Sequence, residues 1–277
     1  MPVLTPTLAS IIFGIGIASG ALGALLGLGG GVFLVPFLNL VLGFPFGAAA
    51  AISLTTVIAT SSAVSAGRAG KQLINMKLGM LLEVATAAGS FLGGVTAQFV
   101  SQSLLQQSFG FVAAAVAIVM LTRLRRRNVI LDPTVDPGVL GGRYYEDESG
   151  AEVTYRVKRL PVAIVASFLA GNVSSLLGIG GGIIKVPVLN AWCGMPLRAA
   201  AATSAFMIGV TATAGAVIYY GRGQVQPALA AAAVLGVQIG SWGGMRFGAA
   251  ASAKWLKVMM AIVLLVLSAM MFARGGR

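Results

Sequence analysis

Leu28-Gly29-Gly30-Gly31-Val32-Phe33-Leu34-Val35-Pro36 decides how this chain is read, because it returns as Ile179-Gly180-Gly181-Gly182-Ile183-Ile184-Lys185-Val186-Pro187 at an offset of 151 residues. The same ungapped shift pairs Asn39 with Asn190, Gly43-x-Pro45 with Gly194-x-Pro196, and Ala48–Ala51 with Ala199–Ala202. It also pairs Ser53 with Ser204 and Gly89-Ser90 with Gly240-Ser241. About a third of positions between Gly20 and Gly94 are identical under it, more than chance supplies. Both copies are built from apolar runs of bilayer-spanning length. An internally duplicated protein of that kind points to a transporter.

Composition narrows the class. Hydrophobic residues make up 57% of the 277 and charged residues 9%, whereas a soluble domain carries about a quarter charged residues on its wet surface. Mean hydropathy is +0.93, so most of the surface must face lipid. The 38 glycines suit close helix packing in a bilayer. The net charge of +12 fits the positive-inside bias of a multi-pass protein. The basic residues do not form one face of a soluble fold, which argues against a nucleic-acid partner. Cys193 is the single cysteine, which excludes an intramolecular disulfide. Met1–Ser10 has no basic stretch like that opening a cleaved signal peptide, so the first apolar run is expected to stay as a span.

Apolar helices are predicted at about 7–28, 46–66, 78–99 and 106–122, then 161–179, 197–219, 227–249 and 255–273, each near the ~20 residues that cross hydrocarbon. The fold class expected is an all-α polytopic membrane protein. It has two homologous halves of about four transmembrane helices each. Between the first two helices of each half lie shorter apolar pieces, 32–43 and 183–193, that follow the triple glycines. At 1.5 Å per residue these reach only about halfway across, so they are read as half-helices or re-entrant segments returning to the side they came from. With four crossings per half, 14 of the 19 basic residues fall on one side. That side is assigned to the cytoplasm, with both termini and the middle loop, and the halves become parallel repeats. Five crossings per half would make them inverted.

The expected division is 1–122 as the first transmembrane repeat, 123–160 as a cytoplasmic inter-repeat loop, and 161–277 as the second repeat. The loop holds six of the seven acidic residues and opens on Arg123-Leu124-Arg125-Arg126-Arg127, which suits a surface of anionic lipid. Arg143–Glu146 and Glu152–Val157 read as a small β-hairpin within an otherwise solvated linker.

No His occurs anywhere, and Glu83 is the only acidic residue outside the loop. Metal, cofactor and acid–base chemistry need clusters of His, Asp, Glu or Cys that cannot be assembled here, so an enzyme is not expected. The glycine motifs lack the G-x-G-x-x-G spacing of a dinucleotide site. Inside a bilayer, consecutive glycines break a helix, and paired breaks in two halves mark a central substrate site. Half-helix N-termini would aim N–H groups there, which suits a small anion. The residues expected to bind it are Gly29, Gly30, Gly31, Gly180, Gly181, Gly182 and Lys185, with Asn172, Ser53, Thr203 and Ser204 as hydrogen-bonding groups. Lys185 stands where the first copy has Leu34, and a cation in an apolar half-helix pairs, lines water or binds substrate. Arg246 is read as snorkelling to an interface. Glu83 is the candidate for coupling to a proton.

Gly27–Pro36, Gly171–Pro187, Ala199–Ser204 and the late Gly240-Ser241-x-Gly243-Gly244 resemble the TauE/SafE sulfite exporter family across nearly the whole chain, the middle loop least. The resemblance implies secondary transport, as an exporter, of small organosulfur or sulfur oxyanions such as sulfite or sulfoacetate across a bacterial inner membrane. A passive anion channel or facilitator is the alternative. The partners expected are the anion, the lipid bilayer and a proton; a homo-oligomer is left open.

Overall fold

The computed structural model describes residues 5–26, 29–67, 72–122, 130, 135–146, 150–247 and 253–275. The first half comprises α1 (Pro6–Leu26), α2 (Gly31–Pro36, which runs on as a wider π turn over Phe37–Val41), α3 (Phe46–Gly67), α4 (Met76–Thr96) and α5 (Gln102–Thr122). A hairpin follows, β1 (Gly142–Glu146) against β2 (Ala151–Tyr155). The second half comprises α6 (Leu160–Leu177), α7 (Gly182–Ala191), α8 (Leu197–Gly221), α9 (Pro227–Phe247) and α10 (Ala253–Gly275). In hydrocarbon every backbone N–H and C=O must be bonded within the chain, which leaves these apolar runs no choice but helix. Seven of the described helices are long and apolar enough to cross a membrane. The chain is an all-α polytopic membrane protein.

Helix directions follow from close approaches at glycines. Phe13, Ile17 and Ala21 meet Gly236, Gly240 and Gly244 in step, so α1 runs parallel to α9. Phe168 and Asn172 meet Gly89 and Gly93 likewise, so α6 runs parallel to α4. The shift of 151 converts one set of contacts into the other. By contrast α3 and α8 are antiparallel. Gly47, at the start of α3, faces Gln224 just past α8, whereas Ser61 Oγ donates to Ala205 O near the start of α8. In α5 and α10, Ser268 Oγ donates to Gly110 O and Ser103 Oγ to Gly275 O, again antiparallel.

These directions correct the sequence reading of the topology. Helices α3 and α8 correspond under the shift yet run opposite ways, so the halves are inverted rather than parallel. Because α8 and α9 form a hairpin, α1 and α3 both point away from the end where the described termini lie. The Gly31–Val41 segment carries the chain back to that end. The half-helix therefore completes a return journey and does not go back to the side where α1 finishes. Pro6 and Gly275 lie at one end of the bundle, and Thr122 and Leu160, which bound the middle loop, at the other. Sorted by these ends, nine of the twelve Lys and Arg among the described residues belong to the middle-loop end, two to the termini end, and Lys185 lies between. The basic run Arg123–Arg127 itself lies outside the described residues.

The hairpin is not a solvated linker. Tyr144, Val153 and Tyr155 are buried in one cluster with Leu78 and Leu82 of α4, Val188 and Leu189 of α7, and Cys193 and Met195 beyond it. Asn75 caps α4 by accepting from Leu78 N at 3.0 Å, and its Nδ2 donates to Leu140 O at 2.8 Å and to Tyr155 Oη at 3.2 Å. Lys158 N donates to Cys193 O at 2.9 Å. Burial pushes both the Tyr155 phenol and the Cys193 thiol up from their ordinary pKa ranges, partly offset by the Asn75 hydrogen bond and by the Arg159 charge respectively.

Candidate functional site

The two glycine breaks meet at the centre of the bundle. Gly29 (φ +79°) and Gly180 (φ +81°) both abut Val57 of α3 and Ile208 of α8, residues that correspond under the repeat shift. Both lie in the left-handed region, where a side chain is strained, so glycine is needed for the backbone to turn and enter the half-helix. Gly30 and Gly181 also have positive φ and stand immediately before α2 and α7, which begin at Gly31 and Gly182. A Cβ on Gly31 would lie 2.5 Å from Ser53 Oγ, and Ser53 Oγ donates to Gly178 O at 2.6 Å, tying one break to the other. Gly27 and Leu28 of the first motif lie outside the described residues.

The far ends of both half-helices are closed alike. Asn39 Nδ2 donates to Phe44 O and Asn190 Nδ2 to Met195 O, each at 2.8 Å. This pins the Gly-x-Pro turns that lead into α3 and α8. Gln106 Nε2 of α5 adds a 2.8 Å bond to Asn39 Oδ1.

The charged chemistry lies on one side only. Lys185, one turn into α7, is 2% exposed, and its Nζ donates to Thr211 Oγ1 of α8 at 2.9 Å. Thr211 Oγ1 lies 2.8 Å from Glu83 Oε1 of α4 and 3.0 Å from Met207 O, and can donate its one proton to either. Lys185 Nζ stands 3.8 Å from Glu83 Oε2. Three helices thus converge on a buried ammonium, hydroxyl and carboxylate. Glu83 Oε2 and Ser174 Oγ form no hydrogen bond among the described residues. Ser174 is fully buried, and its Oγ lies 3.4 Å from where a Gly181 Cβ would be. At the corresponding place beside the other break stand Leu34, Thr60 and Val234. There Thr60 Oγ1 donates to Thr56 O at 2.8 Å, beside a small cavity lined by Gly23, Gly29, Ser61, Val64, Ala205 and Ile208.

The geometry therefore gathers Gly29–Gly31, Gly180–Gly182 and Ser53 at the crossing, with Lys185 and Glu83 beside it. It leaves others apart. Thr203 Oγ1 accepts from Asn75 N at 3.0 Å, at the capped end of α4. Asn172 sits in the α4–α6 seam against Gly93. Ser204 is fully buried near the start of α8. Arg246 is exposed with its guanidinium 5.3 Å from the Trp242 ring, as expected of a cation near an interface. Sequence reasoning missed Thr211 and Ser90, whose Oγ donates to Thr211 O at 2.6 Å. The signal for Thr211 was available, since it corresponds to Thr60 under the shift.

Broken helices that meet at the centre of an inverted bundle, with a buried charge at the break, are an arrangement found in membrane transporters. The chain belongs to the Sulfite exporter TauE/SafE family, whose profile matches residues 12–271. It is 26% identical over 276 residues to the "Probable membrane transporter protein YunE" of Bacillus subtilis, covering 96% of this chain and 97% of that protein. It is likewise 26% identical over 272 residues to the "Probable membrane transporter protein MJ0441" of Methanocaldococcus jannaschii, covering 93% and 92%. A shorter match, 38% over 73 residues, joins it to "Sulfite exporter TauE/SafE family protein 6" of Arabidopsis thaliana, covering 26% of this chain and 17% of that one. No solved structure matches. The chain is a membrane transporter.

Proposed function

We propose that this transporter is a secondary carrier of small sulfur oxyanions, such as sulfite or sulfoacetate, exporting them across a bacterial inner membrane. The observation that carries the reading is the buried Lys185 ammonium in the first turn of α7, directly behind the Gly180–Gly182 break. A cation there needs a counter-charge. The α7 N-terminus and the Ser174 hydroxyl beside Gly181 supply further donors of the kind an oxyanion accepts. The middle-loop end is cytoplasmic on this reading, because it holds nine of the twelve basic residues among those described, and the termini face outward.

The test is accumulation of radiolabelled sulfite by proteoliposomes, with and without preloaded unlabelled sulfite. Accumulation should occur, should rise with preloading, and should fall at least tenfold in Lys185→Met. Sulfite flux that preloading leaves unchanged would favour a passive channel. Equal flux through Lys185→Met would remove the lysine from the site.

A further inference from the structure

We infer that Glu83 and the transported anion take turns as the counter-ion of Lys185, so that anion binding takes up one proton at Glu83. The inference rests on the anion reading of the site and deepens it.

Charge balance is the first argument. The Lys185–Glu83 pair is neutral and nearly inaccessible, with side chains 1% and 10% exposed. An anion arriving without a proton would leave a net negative charge in a low-dielectric bundle, which is expensive. A monovalent anion such as hydrogensulfite, arriving with a proton, leaves one cation, one anion and one neutral carboxyl. The buried charge is zero in both states.

The second argument is how loosely the carboxylate is held. One oxygen accepts a single bond from Thr211, and the other stands 3.8 Å from Nζ with no hydrogen bond among the described residues. A charge-assisted N–H···O bond is about 2.7–2.9 Å, so the ammonium is paired but not clasped. Its remaining donors point to no other carboxylate, because Glu83 is the only acidic residue outside the middle loop.

The third argument is the hydroxyl between them. Thr211 has one proton and two acceptors, Glu83 Oε1 at 2.8 Å and Met207 O at 3.0 Å. Its counterpart Thr60, which faces no carboxylate, donates to Thr56 O. That bond is the seat Thr211 can take once Glu83 is protonated, and reaching it needs only rotation about one bond. The protonated carboxyl can then donate where it formerly accepted. Among the helices packed on α4, α6 carries no ionisable side chain. On α8, Arg198 and Tyr220 are exposed and the Tyr219 hydroxyl donates to Ser175 O at 2.9 Å. On α4 itself Lys77 is exposed at the first turn. Lys185 is therefore the charge that answers Glu83.

In the step, a proton from water adds to a Glu83 carboxylate oxygen and the anion replaces that carboxylate beside Nζ; release reverses both. Anion and proton then move together. Efflux follows the anion's own gradient, and an inward proton gradient favours uptake.

The experiment uses the full chain in detergent or lipid with sulfite as probe. Infrared difference spectra on sulfite perfusion should show a protonated-carboxyl band in the wild type that is missing in Glu83→Gln. Sulfite titrates near neutrality itself, so the readout is the ratio of wild-type to Glu83→Gln affinity, which cancels that contribution. The ratio should fall about tenfold per pH unit where Glu83 titrates, because one proton is linked to binding. Glu83→Gln keeps the shape of the side chain, and its thermal midpoint confirms folding. Sulfite binding with no carboxyl band and a constant ratio overturns the switch and leaves the anion site standing. No sulfite binding by either protein at any pH overturns both.

Discussion

The two half-helices show what a duplicated scaffold fixes and what it leaves free. Both begin at a positive-φ glycine against Val57 and Ile208, and both end in a turn pinned by an asparagine. The backbone break is therefore built twice. The charge is built once: Lys185, Thr211 and Glu83 at one break correspond to Leu34, Thr60 and Val234 at the other. A pair of breaks at the centre gives a place where two halves can rock against one another. It does not by itself choose a cargo. On the function proposed above, the single ammonium supplies the preference for an anion, and its carboxylate keeps the empty state neutral.

Converting one break into the other should give the largest effect. Glu83→Ala alone strands a buried ammonium beside Thr211, a loss that costs about 3–5 kcal/mol when one partner of a buried pair is removed. Lys185→Leu together with Glu83→Val copies the uncharged break instead. Replacing a whole buried pair by apolar groups is neutral or stabilising by about 1–4 kcal/mol. Thermal unfolding should thus place the single variant well below the wild type and the double variant at or above it, while sulfite transport is lost in both. A double variant that still transports would show that the difference between the breaks has no role in function.

The breaks themselves differ in tightness, and this sharpens the comparison. A Cβ at Gly180 would sit 2.8 Å from Val57 Cγ1, and one at Gly29 would sit 3.3 Å from the same atom. Both alanine variants suffer the left-handed backbone penalty of about 1–2 kcal/mol. Gly180→Ala must also push the Val57 side chain of α3 further than Gly29→Ala does. Its thermal midpoint should fall below that of Gly29→Ala, and its transport rate should be the lower of the two. Equal losses would mean that the two breaks are energetically interchangeable despite the charge beside one of them.

The breaks were legible in the sequence because triple glycine followed by proline, repeated at one offset, has few other physical explanations in an apolar run. The helix directions were not. A half-helix of eleven residues, Gly31–Val41, fits a re-entrant turn and a return crossing equally well. The basic residues sort convincingly under either parity, 14 of 19 in the sequence reading and nine of the twelve described in the observed arrangement. Only the in-step contacts of Phe13, Ile17 and Ala21 with α9 decide it. Lys185 and Glu83 were each visible as isolated charges. Their pairing was not, because it joins positions about a hundred residues apart through a threonine that looks like any other in a membrane helix. The hairpin was read as solvated because its charges dominate its composition, yet alternate residues of β2 carry Val153 and Tyr155 into the core.

That docked hairpin also separates the two ends of the bundle, and the smallest effects expected here test it. Cys193 is fully buried beneath Tyr144 and Tyr155, and burial raises its thiol pKa, so less thiolate is present at neutral pH to attack a maleimide. Native Cys193 should label slowly in sealed cells. Tyr155→Ala removes a buried ring whose hydroxyl meets Asn75 Nδ2 and should speed that labelling several-fold without abolishing transport. Cysteines introduced at the exposed positions Glu152 and Thr5 report on the ends directly. Thr5 precedes α1 at the termini end, and Glu152 lies in the hairpin. They should react with an impermeant reagent from opposite faces, Thr5→Cys from outside and Glu152→Cys only after lysis. Labelling of both from one face would restore an even number of crossings per half and remove the inverted arrangement on which the contrast between the two half-helices depends.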